Sequence, residues 1–221
     1  MTAPARERLL EALIGITAEQ GLDGVSIREV AARAGVSIGT VQYYCHTKDE
    51  MLVMAFQHIA ERIVSRVAGG EGAQAREVDG TVGRRLEDAL LELLPLDDHR
   101  STESRVYLAF AARAAVVPEL AAVQSSLMAR LRAQLAAAFR AARDRGEARD
   151  DVDPELASAA TAALVDGLLL HLLTDPAGLS PGAARQILQR HLGTHLRAGG
   201  GPGSPAGRPG GAAERALRGE R

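Results

Sequence analysis

The stretch Ser26-Ile27-Arg28-Glu29-Val30-Ala31-Ala32-Arg33-Ala34-Gly35-Val36-Ser37-Ile38-Gly39-Thr40-Val41-Gln42-Tyr43-Tyr44-Cys45 holds two short helical patterns flanking Ala34-Gly35-Val36-Ser37. Ser26 can cap the first helix, and Glu29 three residues on completes a capping box. Ser37 can cap the second. Ala31 is small where the two helices must approach closely, and Gly35 can take the positive φ of a tight turn. Val30, Val36, Ile38 and Val41 are placed to hold the pair at a fixed angle. This spacing fits a helix-turn-helix, which lays its second helix in the major groove of DNA. An ordinary corner in a helical bundle has the same small and apolar positions, so the exposed chemistry must separate the two.

The second helix and its exit present Ser37, Gly39, Thr40, Gln42, Tyr43, Tyr44, His46, Thr47 and Lys48, with no carboxylate before Asp49. Hydroxyl, amide, phenol and cationic groups of this kind donate to phosphates and reach base edges. Gln42 can pair with adenine through two hydrogen bonds. Lys48 is the only lysine in the chain, and it opens the next helix. There its ammonium and the backbone N–H groups could grip one phosphate together. The predicted DNA-binding set is Ser37, Thr40, Gln42, Tyr43, Tyr44, His46, Thr47 and Lys48.

Outward from this motif, helical periodicity dominates and no convincing alternating strand pattern occurs. The pattern predicts an all-α chain of about nine helices over 4–20, 27–34, 38–44, 48–67, 79–94, 102–115, 118–145, 153–174 and 181–197. Gly21 and Gly146 serve as stops, and Pro118, Pro154 and Pro181 sit at first-turn positions. The expected organisation is a three-helix head (1–48), a helical body (49–197) and a tail (198–221). A Gly-rich connection is expected over 68–80. The tail has eight glycines and three prolines, too little apolar surface to offset the entropy of ordering, and is expected to be disordered. Its arginines could touch DNA or simply be solvated.

The 221 residues carry a net charge of −2, so DNA binding has to come from a local surface rather than the whole chain. One cysteine, Cys45, excludes an internal disulfide and any multi-cysteine zinc site. No basic-then-apolar leader opens the chain, since Glu7 and Glu11 interrupt it, and a cytoplasmic location is expected. The strongly apolar run Ala162 to Leu173 contains Asp166 and His171 and is shorter than the roughly 20 residues a bilayer span takes, so no membrane partner is expected.

The run from Gly35 to Leu52, preceded by Gly21-Leu22-Asp23-Gly24-Val25-Ser26-Ile27, resembles the signature of TetR-type transcriptional regulators over about residues 5–55. The resemblance implies that Thr40, Tyr44 and Lys48 contact phosphate and that Gln42 and Tyr43 lie at or near base edges. Cys45 departs from the pattern, since the family usually has an aromatic there. Its smaller side chain leaves space for Met51 or Met54 to fill. A redox role is the alternative to a buried cysteine acting as a hydrophobe. In the body, Glu103 to Phe110, Asp151-Val152-Asp153-Pro154-Glu155 and Val165-Asp166-Gly167-Leu168 resemble a TetR subgroup that includes choline-responsive, BetI-like regulators.

Two further sets of residues are candidates in the body. Arg105, Tyr107, Phe110, Arg113, Asp166 and His171 place polar or aromatic groups on apolar faces and could line an effector pocket, or be satisfied core or interface residues. The helix over 153–174 is apolar nearly all round and needs cover on more than one side. By the family resemblance, Leu164, Leu168, Leu172, Ile187, Leu188, His191 and Leu192 pair the last two helices across a homodimer. The function implied is a ligand-responsive regulator, expected to be a repressor, which binds a palindromic double-stranded DNA operator and is released by a small-molecule effector. An effector-independent architectural DNA-binding protein of the same fold is the alternative. No catalytic motif is present, no cofactor or metal is expected, and the chain does not read as an enzyme.

Overall fold

Residues 3–69 and 80–197 are described by a computed structural model. The Gly-rich connection expected over 68–80 and the tail from 198 fall, apart from the end of one helix and residue 80, outside the described residues. Within them lie nine α-helices: α1 (Ala3–Gln20), α2 (Ile27–Ala34), α3 (Ile38–Tyr44), α4 (Lys48–Gly69), α5 (Val82–Leu91), α6 (Asp98–Ala114), α7 (Pro118–Asp144), α8 (Pro154–Thr174) and α9 (Pro181–His195). The only β pairing among the described residues is an isolated bridge, Ala148 to Leu196.

The predicted ends follow their chemistry closely. Ser26 and Ser37 accept from the backbone N–H of Glu29 and Thr40, respectively. Pro118, Pro154 and Pro181 occupy first-turn positions. Gly35 ends α2 in the left-handed region at φ 62°, a conformation costly for any residue with a Cβ. Two helices differ from expectation by three residues or more at an end. The fifth is shorter than 79–94, because Thr81 caps it at Arg84 N and Glu147 Oε2 takes the N–H of Val82. The sixth starts at Asp98 rather than 102, because Asp97 accepts from Arg100 N at 2.8 Å. That bond also holds the Asp97 carboxyl below its ordinary pKa.

Two apolar clusters organise the chain. The first joins Leu9, Leu13 and Ile16 of α1 to Val30 and Ala31 of α2, Val41 of α3 and Met51, Ala55, Phe56 and Ile59 of α4. Val106 and Phe110 of α6 belong to the same cluster, so the core beneath the head continues past residue 48. The second joins α5, α7, α8 and α9 through Leu86, Leu90, Phe139, Val165, Leu169 and Leu188.

Helix α8 corrects one expectation. Counted from its Pro154 cap it has 21 residues and a mean hydropathy of 1.7 in its best window, so it is long and apolar enough to cross a membrane by length and composition. In the fold, Ala157, Thr161, Ala162, Val165, Leu168 and Leu169 bury one side of it within the body core.

Candidate nucleic-acid interface

The recognition surface is built from one buried residue outward. Val41 is fully buried among α1, α2 and α4, which fixes how α3 is rolled. Its opposite face then carries Ser37, Ile38, Gly39, Gln42 and Tyr43, all exposed, with Tyr43 at 72%. Thr40 and Tyr44 are half-buried at the edges of this face, and His46, Thr47 and Lys48 continue it as exposed residues. All eight predicted contacts therefore lie along one helix and its exit. Ile38 does not pack between the helices as expected. It is 46% exposed and shares the outer face with Gln42 one turn on, where an apolar side chain suits a thymine methyl.

Several of these polar groups already have partners. Ser37 Oγ and Thr40 Oγ1 share a hydrogen bond at 2.8 Å, so cap and hydroxyl pair are one unit. Tyr43 and Tyr44 meet edge to face, with ring centroids 5.3 Å apart. Thr47 Oγ1 accepts from Glu50 N, and Glu50 in turn accepts from His46 N at 2.7 Å. The start of α4 thus carries its own carboxylates, and a phosphate there has to be held by the Lys48 ammonium more than by backbone N–H groups. Lys48 Nζ donates to Leu22 O at 3.3 Å, which uses one of its three donors. Sequence reasoning missed Ile38 as a surface residue and Glu50 as a neighbour of His46. The capping spacing from Thr47 to Glu50 was the available signal for the latter.

Beneath the face, Cys45 is fully buried, with Sγ 4.0 Å from Met54 Sδ. Met51 is buried in the same cluster. Met54 thus packs directly against the thiol. Burial, reinforced by the charge of Glu50, pushes the thiol up to about 11.

The expected effector residues do not converge as a set. Arg105 is exposed. Arg113 pairs with Asp49 at the start of α4, at 3.0 and 3.2 Å, and so ties α6 to the head. His171 is exposed on α8. Phe110 is fully buried and stacks on Phe56 at 4.2 Å, where it acts as core. Tyr107 and Asp166 do meet: the tyrosine hydroxyl donates to Asp166 Oδ1 at 2.9 Å and accepts from Gln124 Nε2 at 3.3 Å. Burial raises the pKa of both Tyr107 and Asp166. Gln124 was not anticipated; among the described residues its buried Oε1 has no hydrogen-bond partner.

The expected dimer residues also divide. Leu188 and Leu192, with Leu168 and Leu172, are buried in the core of the protomer, although Leu168 also lines the open cleft between α8 and α9. Within the α9 stripe, Leu188 and Leu192 pack into the protomer's own core. Leu164 is half-buried and Ile187 is 39% exposed, and both line a shallow 430 Å³ cleft between α8 and α9. His191 is half-buried and held by Thr161 at 2.8 Å.

A helix-turn-helix whose second helix has an acid-free outer face, packed on further helices that share its core, defines a DNA-binding regulator. Residues 9–55 match the bacterial regulatory proteins of the tetR family. Residues 83–197 match the BetI-type transcriptional repressor C-terminal domain. The chain belongs to the TetR family of bacterial transcriptional regulators, with a BetI-type C-terminal body. Its relatives are regulators and not enzymes. The HTH-type transcriptional regulator PksA of Bacillus subtilis is 26% identical over 188 residues, which is 85% of this chain and 87% of that protein. A transcriptional regulator from Rhodococcus sp. Rha1 is 38% identical with a TM-score of 0.73, covering 87% of this chain and 95% of that one. A regulator from Saccharomonospora viridis, solved in complex with choline, has the same fold at 21% identity and a TM-score of 0.73, covering 89% of this chain and 100% of that one.

Proposed function

We propose that the protein is a ligand-responsive repressor that binds a palindromic DNA operator as a homodimer in the bacterial cytoplasm. The observation that carries this is the outer face of α3, where Ser37, Ile38, Gly39, Gln42 and Tyr43 are exposed together on a helix rolled by buried Val41. Gly39 adds support. A Cβ there would meet nothing of the protein closer than Ser37 Oγ at 3.8 Å, so internal packing does not require glycine. A bare backbone suits close approach to DNA. Gln42 and Tyr43, with Ile38, read base edges; Ser37, Thr40, Tyr44, His46, Thr47 and Lys48 hold phosphates. The dimer seam runs along the exposed side of α8 and α9, through Leu164, Ile187 and His191 and not through Leu188 or Leu192.

The effector acts in the body and shifts the population of head spacings. The Tyr107–Asp166–Gln124 group is the polar part of that site, since Gln124 Oε1 lacks a partner that a donor on a ligand could supply. Choline, the ligand of the Saccharomonospora protein, is the first compound to try.

The test is fluorescence anisotropy on a site selected from a random-sequence pool. Wild type should select a palindrome, bind it as a dimer and lose affinity steeply with salt. Gln42→Ala, at an exposed position, should lose about 1–3 kcal/mol and relax one position in each half-site. Failure to enrich any sequence, or Gln42→Ala binding like wild type, would sink the operator reading and favour an architectural DNA binder. Choline and related amines are then titrated against the complex; release by one of them identifies the effector class.

A further inference from the structure

Away from the recognition helix, metal-ligating side chains gather where α1 lies against α4. Glu7 and Glu11 stand one turn apart on α1, and His58 and Arg62 stand one turn apart on α4. One ligand atom from each of Glu7, Glu11 and His58 lies within 4.8 Å of the other two. Glu7 Oε1 is 3.6 Å from His58 Nε2. Two ligand atoms of a tetrahedral shell with bonds of about 2.1 Å stand about 3.4 Å apart. This pair is therefore already at bridging distance, and the Glu11 carboxylate lies within 4.8 Å of both. The imidazole supplies the second sign. Only 11% of the His58 side chain is exposed, and its buried Nε2 has no hydrogen-bond partner among the described residues. A buried nitrogen normally finds one.

We propose that Glu7, Glu11 and His58 form a binding site for a divalent transition metal, zinc in the first instance. One imidazole and two carboxylates suit Zn²⁺ with water in the fourth position, whereas magnesium and calcium take oxygen shells. Arg62 is the built-in competitor. Its guanidinium bonds Glu11 and lies 3.5 Å from Glu7. It neutralises the carboxylates when metal is scarce and has to turn outward when metal binds, which sets the affinity. The consequence is mechanical. Helix α1 belongs to the head, and α4 runs from Lys48 in the head into the body, so a bound cation clamps the two and fixes how the head is carried.

Isothermal titration of the full chain, freed of metal by chelator, tests this with zinc chloride and with magnesium chloride. Wild type should take one zinc per chain, and magnesium should give no comparable binding. His58→Gln and Glu7→Gln should each weaken zinc by at least about tenfold, the loss seen even for outer partners of a metal ligand. Arg62→Gln should tighten it, because a competitor is gone. Zinc at a hundredfold excess over its dissociation constant should raise the wild-type melting temperature by about 5 °C or more, and that of His58→Gln much less. Glu7 is exposed, so Glu7→Gln remains a fair test even if His58→Gln fails to fold. The proposal is overturned if wild type binds no zinc. It is equally overturned if both ligand variants bind as wild type does, which would put the metal elsewhere, for example at the adjacent rings of His191 and His195. Weaker binding by Arg62→Gln would overturn the competitor role.

Discussion

Cys45 stands where TetR-type heads usually carry an aromatic, and the structure shows what takes its place. The thiol sits under the recognition helix against Met54, with Met51 in the same cluster. Flexible thioethers fill a gap of irregular shape well. The pH argument follows from the same burial. A thiol raised to about 11 stays protonated through neutrality in the folded protein, and only the thiolate attacks electrophiles or takes up oxidants readily. A shift of that size leaves on the order of a hundredfold less thiolate at pH 7.5 than an unshifted cysteine has. Native protein should therefore react with a maleimide or aromatic disulfide reagent on the order of a hundredfold more slowly than protein unfolded in urea at the same pH. Labelling at the unfolded rate would mean that the core beneath the head opens, and would restore the redox reading that burial argues against.

At the scale of elements, one ion-pair network joins the middle of the molecule. Arg66, near the end of α4, reaches Glu103 on α6 with bonds of 3.1 and 2.6 Å and Glu92 after α5 at 3.1 Å. Only 4% of the Glu103 side chain is exposed. Removing the arginine leaves a buried carboxylate whose one remaining ion-pair neighbour among the described residues is His99. Arg66→Met should cost about 2–3 kcal/mol, below the range for fully buried pairs because Arg66 is itself partly exposed. The double variant Arg66→Met with Glu103→Met should recover much of that loss. Urea titrations of both single variants and the double variant measure it, and a loss in the double equal to the sum of the two single losses would show that the pair is not coupled. None of this was legible in the sequence, since the partners lie 26 and 37 residues apart. Capping and periodicity are local, which is why Ser26, Ser37 and the three proline starts were legible while nothing in the sequence paired Tyr107 with Asp166. Periodicity also shows that a helix buries a face without showing against what. Leu188 and Ile187 are neighbours in one stripe, yet the first is core and the second is surface. The face of α3 was legible for the opposite reason: its polar chemistry reads as exposed, and apolar Val41 marks the side that is buried.

At the scale of the whole molecule, the proposed dimer makes a demand that the protomer does not. Leu156, Ala160, Ala163, Gly167 and Leu170 recur on α8 at steps of three and four. All but half-buried Gly167 are exposed, so an apolar stripe with a small-residue centre faces away from the protomer core. Gly167 is helical, lines the cleft beside Ile187, and a Cβ built on it would meet nothing within 4 Å. The protomer thus gains nothing from glycine here, and in a helix interior glycine costs about 1 kcal/mol relative to alanine. A second subunit crossing close to α8 accounts for it. Gly167→Leu should then separate two properties that usually move together. The isolated protomer keeps its fold, with helical content unchanged, while the dimer is forced apart by side chains placed at its crossing point. Light scattering on size-exclusion peaks at matched concentrations should show a shift toward monomer, with circular dichroism unchanged. Affinity for a full palindrome should fall well below wild type, because the second head no longer arrives with the first. Affinity for a single half-site should stay the same, since no residue of the recognition face is touched. A Gly167→Leu protein that remains dimeric and binds the palindrome normally would move the seam off this stripe, and the spacing of the two heads on DNA would have to be argued from another surface.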